Sequence, residues 1–251
     1  MLEAAAGAGF GAAGLRVSGR NPGDPWPSVD GRPGALQIVA QRARELGVRI
    51  SSISGYYLSE RTGPEHLQAN VDAARRVGAP LIAQGCFEPD LDRAASLLHG
   101  YARAAADAGL RIALEFMPMS SLKTIADAQR VIADSRARNV GLLVDALHLV
   151  RSGAQPAELA HVDPESIHLA QLCDAPAGRV DGVSLFDEAM SGRLYVGDGG
   201  LDLAGLVDAL PANLELELET PVTADFELRG VERAQRAAAK AQAFFDRHWP
   251  R

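Results

Sequence analysis

Cysteine is scarce: Cys86 and Cys173 are the only two in 251 residues. That is too few for a disulfide framework and fits a reducing interior. Positive charge is in deficit too, with 25 Lys and Arg against 32 Asp and Glu and a net charge of −7. A nucleic-acid partner selects a concentrated basic face, so none is expected. No apolar run approaches the ~20 residues of a membrane span. The opening MLEAAAGAGFGAAGL is apolar, but no Lys or Arg precedes Arg16, so it lacks the basic start of a secretory leader. The expectation is a cytoplasmic protein with neither membrane nor nucleic-acid contacts. What remains is ordinary globular material, 47% hydrophobic and 23% charged, long enough for a substantial core. No break in composition suggests a linker, so residues 1–251 read as one domain.

Short β-type apolar runs occur at 12–17, 49–58, 79–87, 111–117, 140–147, 167–174 and 214–220. Amphipathic stretches at 35–46, 64–77, 90–108, 121–136 and 155–161 separate them. Runs two to six begin at 49, 79, 111, 140 and 167, a step of about 30 residues that accommodates one strand, one helix and two turns. Pro64, Pro89 and Asp90 stand where helices should start. The Gly/Asp-rich stretch 175–200 reads as a long loop. Strands alternating with helices predict a parallel sheet coated by helices. The regular step favours a (β/α)8-type TIM barrel over an open doubly wound sheet.

The chain opens on a helix, residues 2–9, so the barrel lacks its first β-strand, or that strand lies ahead of Met1. A missing stave leaves two strand edges with unpaired backbone groups, which invite pairing with another chain and make a homo-oligomer an expected partner. Gly9-Phe10-Gly11-Ala12-Ala13-Gly14 matches G-x-G-x-x-G. A dinucleotide site needs a strand before those glycines and a helix after them. Here a helix precedes and a strand follows, so a helix-to-strand turn is expected instead.

Four consecutive strand runs each carry an oxygen donor at or near their C-terminal end: Glu115, Asp145, Gln171 and Glu219. In a barrel those ends converge on one face. Burying three carboxylates there is costly without a cation, because like charges in low dielectric raise one another's pKa. Oxygen donors suit Mg2+ or Mn2+, with Co2+ or Zn2+ as further candidates. Glu215 and Glu217 share the face of Glu219 by alternation, and Glu217 needs a partner one layer deeper. Cys173 shares the face of Gln171 and reads as a small packed thiol. Arg151 and Arg193 are candidates to hold an anionic substrate group. Arg16, Tyr56 and Gln84, at the ends of earlier strands, stand where they would line the pocket, although packing or rim solvation is the expected role for any one of them. His66, His99 and His161 fall on helices, and His168 alternates away from Gln171.

At these residues the sequence resembles the sugar phosphate isomerase/epimerase superfamily, the xylose-isomerase-like TIM barrels. The pattern is Glu115, Asp145 with His148, Gln171 with Asp174, and Glu219, and the resemblance spans nearly the whole chain. It implies one divalent cation held by Glu115, Asp145, Gln171 and Glu219, although most such epimerases have His where Gln171 stands. It implies Glu115 and Glu219 as the proton-transferring pair and His148 as a group that binds substrate oxygens or acts as acid or base. The substrate would be a sugar or polyhydroxy acid with a keto-hydroxy pair, and the reaction would run through a metal-stabilised enediolate. Gln171, the segment QLCDAP, Arg193 and the turn Gly197-Asp198-Gly199 are similar to the 3-dehydroshikimate dehydratase branch, which makes a metal-dependent lyase the alternative. An apurinic-site endonuclease would need more histidines at the strand ends and a basic groove. A non-catalytic ligand-binding barrel is the third alternative, and the absent first strand speaks for it.

Overall fold

Seven parallel strands lie side by side in chain order: β1 (Ala12–Arg16), β2 (Arg49–Ser54), β3 (Leu81–Gln84), β4 (Arg111–Glu115), β5 (Val140–Asp145), β6 (Ile167–Leu172) and β7 (Leu216–Leu218). The computed structural model describes residues 1–25 and 34–250. Helices α1 (Leu2–Gly7), α2 (Ala35–Leu46), α3 (Pro64–Val77), α4 (Leu91–Asp107), α5 (Ile125–Ser135) and α6 (Ala146–Arg151) each follow or precede a strand in strict alternation. After β6 come α7 (Leu185–Ser191) and α8 (Leu203–Ala209), and α9 (Gly230–His248) closes the chain. The result is a nearly closed TIM barrel with a helical coat, as the spacing predicts.

Local chemistry explains the boundaries. Asp90 caps α4 by accepting from the N–H groups of Asp92 and Arg93, and Thr124 with Asp127 makes a capping box for α5. Two expectations need correction. The stretch 175–200 is not all loop: Ser184 caps α7 within it through the Asp187 N–H. Residues 155–161 form a 3-10 helix, Pro156–His161, rather than an α-helix. α8, capped by Asp202 through the Gly205 N–H, is short enough that its apolar period does not stand out from the Gly/Asp-rich chain before it.

Alternation along the strands sorts the core into two layers. Ile53, Ile82, Ile112, Leu114, Leu142 and Val144 face the helices and belong to the main apolar core. Leu81, Ala113, Leu143 and Leu169 form a small separate layer inside the curl of the sheet. Two residues further on, the same inward parity on β4, β5 and β6 gives Glu115, Asp145 and Gln171. His168 has the opposite parity to Gln171 and hydrogen-bonds the carbonyl of Ile112 at 2.9 Å through Nδ1.

Pairing starts at β1 and stops at β7, so these two strands are the edges of the sheet. Side chains bridge the break. Arg49 of β2 grips Glu215 with two hydrogen bonds, 2.8 and 3.1 Å, and Glu217 of β7 reaches the hydroxyls of Ser51 and Ser52. A cleft of about 960 Å³ lies along the break, walled by residues of α1, β1, β7 and α9 and continuous with the ends of the strands. The glycines at 9–14 are the turn expected: α1 ends before them, β1 follows, and Gly9 has φ +81°.

Gly141, the second residue of β5, lies close against the start of β6. A Cβ there would stand 2.4 Å from the Ser166 carbonyl oxygen and 2.6 Å from the His168 ring. Gly141→Ala is expected to lower stability by about 1–3 kcal/mol, read as a reduced urea midpoint at unchanged m-value. An unchanged midpoint would show that β6 can move away at no cost.

Candidate active site

Glu115 and Asp145 are the last residues of β4 and β5, and Glu219 follows β7 directly. Each offers one carboxylate oxygen, and the three oxygens lie within 4.8 Å of one another. Asp145 is fully buried and Glu115 nearly so, whereas 46% of the Glu219 side chain faces the cleft. The backbone holds the group together. Asp145 caps α6, with Oδ1 accepting the His148 N–H at 2.9 Å, and the Glu219 N–H donates to the Leu172 carbonyl at 3.0 Å.

A guanidinium sits among these carboxylates. Arg193 donates from Nη1 to Asp145 Oδ2 at 2.6 Å and holds Nη2 at 3.1 Å from Glu219 Oε2. Nη1 also lies 3.1 Å from Cys173 Sγ, and Nη2 lies 3.4 Å from His148 Nε2. Since a guanidinium only donates, that contact assigns His148 Nε2 as an acceptor. His148 Nε2 is also 3.8 Å from Glu115 Oε1, so it borders both edges of the cluster.

The electrostatics follow from burial, from Arg193 and, more weakly, from the charge of Arg16. Burial holds Glu115 well above the usual carboxylate range, and the charges of Glu219 and Asp145 push it further up. Burial alone would raise Asp145 too, but Arg193 and His148 outweigh it and hold the group below its ordinary value. Glu219 is raised by loss of solvent in the cleft, against the pull of Arg193. Burial lowers His148 to about 4, leaving a neutral imidazole at pH 7. Burial also pushes the Cys173 thiol up to about 12, so it is the inert packed group the sequence suggests.

Gln171 lines the same cleft as Glu115, Glu217 and Glu219 and donates from Nε2 to Glu217 Oε2 at 3.3 Å. Arg16 lines it as well, with Nη2 donating to the Tyr57 hydroxyl at 3.0 Å. Of the other strand-end residues, Tyr57 rather than Tyr56 lines the cleft, and packing, the expected role, is what Gln84 shows. Gln84 is buried on the outward parity of β3 and donates to the carbonyls of Gly85 and Tyr56. β2 ends at Ser54, so strand alternation no longer assigns a face to residues 56 and 57.

Arg151 is likewise not brought to the carboxylates. Its guanidinium makes a buried pair with Glu188 of α7, 2.7 Å at the shortest, and donates to the carbonyls of Pro176, Ala177 and Gly178. It clamps the loop after β6 instead of facing the cleft. Asp174 anchors the same loop: its carboxylate accepts from the N–H groups of Ala175, Gly197, Gly199 and Leu201 at 2.8–3.2 Å. A backbone bridge between Asp174 and Leu194 then sets Arg193 beside Asp145. The Gly197-Asp198-Gly199 turn therefore folds around Asp174. At Gly199 a Cβ would stand 2.3 Å from the Ala175 carbonyl.

Comparison with known proteins gives the family and the fold. A curated 3-dehydroshikimate dehydratase from Pseudomonas aeruginosa is 27% identical over 195 residues, 72% of this chain. The chain spans only 30% of that relative's length. Among solved structures, the IolI protein with a bound zinc atom superposes with a TM-score of 0.80 at 16% identity, covering 100% of this chain and 93% of that one. An L-ribulose 3-epimerase gives 0.72 at 19% identity, covering 98% and 88%. At these identities the structural likeness is one of fold. The family model described as xylose isomerase-like TIM barrel matches residues 2–247, and the chain belongs to that family.

Proposed function

We propose that the chain is a divalent-metal-dependent isomerase or epimerase acting on a small sugar or sugar-like keto-hydroxy substrate. The observation that supports this is the set of three carboxylate oxygens within 4.8 Å, from the ends of three strands, around one guanidinium. Three acids against two guanidiniums, the tethered Arg193 and the cleft-lining Arg16, still leave a negative balance that a divalent ion would correct. The donor set fits such an ion: Glu115, Asp145 and Glu219 would hold it together with the Gln171 amide oxygen. An all-oxygen set favours Mg2+ or Mn2+ over Co2+ or Zn2+. When bound, the cation supplies Lewis-acid polarisation of a substrate carbonyl.

The chain's own groups supply the rest. Glu219, open to the cleft, would take a proton from the carbon beside that carbonyl, and Glu115 would return one. Return to the opposite face of the same carbon gives an epimer, and return to the neighbouring carbon an isomer. Arg16, which lines the cleft, would offer donors to substrate oxygens, whereas His148 and Arg193 are buried outside the cleft's lining and would act on the substrate only through the carboxylates they hold. The volume of the cleft, about 960 Å³, suits a small molecule.

A dehydratase is the second reading, favoured by the dehydratase relative and by Gln171 at the fourth ligand position. It shares the first proton abstraction and differs in expelling a β-hydroxyl afterwards. Incubation with Mn2+ and a ketose panel plus 3-dehydroshikimate in D2O separates the readings. Deuterium in an unaltered carbon skeleton is the expected outcome. Rising ultraviolet absorbance from a conjugated product would select the dehydratase, and metal binding without any turnover would leave a ligand-binding barrel.

Calorimetry of the metal-free protein should show one Mn2+ per chain. Glu219→Gln is expected to cut turnover by about 10²–10⁴-fold with little change in thermal midpoint, since this side chain is the most exposed of the three. Near-normal turnover in that variant would remove Glu219 from proton transfer.

A further inference from the structure

The acidic face of β7 contains a group with no part in the mechanism above. Glu217 lies one layer below Glu219 and shares its cleft, yet it is not among the three oxygens that cluster. Its two oxygens are committed in opposite directions. Oε1 accepts from Ser52 Oγ at 2.7 Å and from Ser51 Oγ at 2.9 Å, and Oε2 accepts from Gln171 Nε2 at 3.3 Å. Gln171 in turn pairs in register with Asp145 on one side and with Glu217 on the other.

Two features of the neighbouring strands show that this carboxylate occupies a built cradle. The β1–β2 register slips: Ala13 stands opposite Ile50, whereas Leu15 stands opposite Ile53. β2 therefore carries one extra residue at Ser51-Ser52, a bulge that lets consecutive hydroxyls reach the same oxygen although alternation would separate them. Facing the bulge is Gly14. A Cβ there would lie 2.8 Å from Ser52 Oγ and 3.0 Å from Glu217 Oε1, so the third glycine of the G-x-G-x-x-G match makes room for Glu217.

A primary amide has one end that donates and one that accepts, and only the accepting oxygen can bind a cation. Glu217 Oε2 attracts the NH2 end of Gln171. The carbonyl Oε1 is then left for the cation, and among the described residues it accepts no hydrogen bond. We infer that Glu217 is a positioning residue: it sets which end of the Gln171 amide faces the carboxylate cluster, and the β2 bulge with Gly14 holds it in that task. The inference rests on Gln171 being an oxygen donor to the cation, as proposed above.

Mn2+ titration of metal-free protein, followed by the electron paramagnetic resonance signal of free Mn2+, tests this without substrate or turnover. Glu217→Leu and Glu217→Gln both remove the charge, but only Gln keeps an acceptor for the Gln171 NH2. Glu217→Leu is expected to weaken Mn2+ binding by about 10–100-fold, and Glu217→Gln to stay within about threefold of wild type. In a Gln171→Ala background, Glu217→Leu should add almost nothing, because the group it orients is gone. Equal weakening by Leu and Gln, or an undiminished loss in the Gln171→Ala background, would overturn the inference by making Glu217 a ligand or a source of field. Should Glu217→Leu fail to fold, Gly14→Ala displaces the carboxylate without removing its charge, and about a tenfold loss is expected from it. Unaltered binding in Gly14→Ala would then count against the inference. A wild type that binds no Mn2+ removes the metal-dependent reading and this one together. A wild type that binds, with Glu217→Leu binding as tightly, removes only the positioning role.

Discussion

Three carboxylate oxygens confined within 4.8 Å of one another, two of them on buried or nearly buried side chains, repel one another strongly, and much of this protein is arranged around that constraint. The strain is unevenly shared. Asp145, fully buried but gripped by Arg193, stays below its ordinary pKa, while Glu115, without so close a cation, is driven well above it. A single guanidinium can neutralise one acid and lean on a second, and that is how far Arg193 reaches. Its position depends on Asp174, whose four N–H bonds fold the loop after β6 back toward β5. The glycines of that loop are needed because the backbone itself closes on a carboxylate.

Much of this was legible in the sequence because strands advertise themselves by alternation and their ends by the first acid. Glu115 and Asp145 each terminate an otherwise apolar run, and in a barrel every such end converges on one rim. The parts that were not legible depend on partners remote in sequence. Nothing local distinguishes Arg151, which pairs with Glu188 37 residues away, from Arg193, which pairs with Asp145 48 residues away. Tyr57 rather than Tyr56 lines the cleft, because β2 ends at Ser54 and the alternation on which the choice rested does not extend past it. α7 and α8 were hidden for a different reason: at seven residues each, they present barely two turns of period amid Gly and Asp.

The break between β1 and β7 poses a problem that side chains solve. Edge strands normally present unpaired N–H and C=O groups. Here the bidentate Arg49–Glu215 pair and the Ser51 and Ser52 hydroxyls on Glu217 tie β7 to β2 across the interior. Carboxylates on the inner face of a barrel strand look misplaced until this is seen. An apolar β7 would have packed well inside a closed barrel but would have had nothing to reach across a break.

Alternation then stacks three acids on one strand face with a different task at each depth. Glu215 ties the edge by an ion pair at the lower end, Glu217 bridges two serines and Gln171 in the middle, and Glu219 stands at the mouth beside Arg193. Because the three share a backbone only five residues long, they cannot move independently. A shift of β7 relative to β2 that lengthened the Arg49–Glu215 pair would carry Glu219 with it and widen the carboxylate cluster at the rim. The closure of the sheet and the geometry of the candidate active site are therefore one mechanical problem.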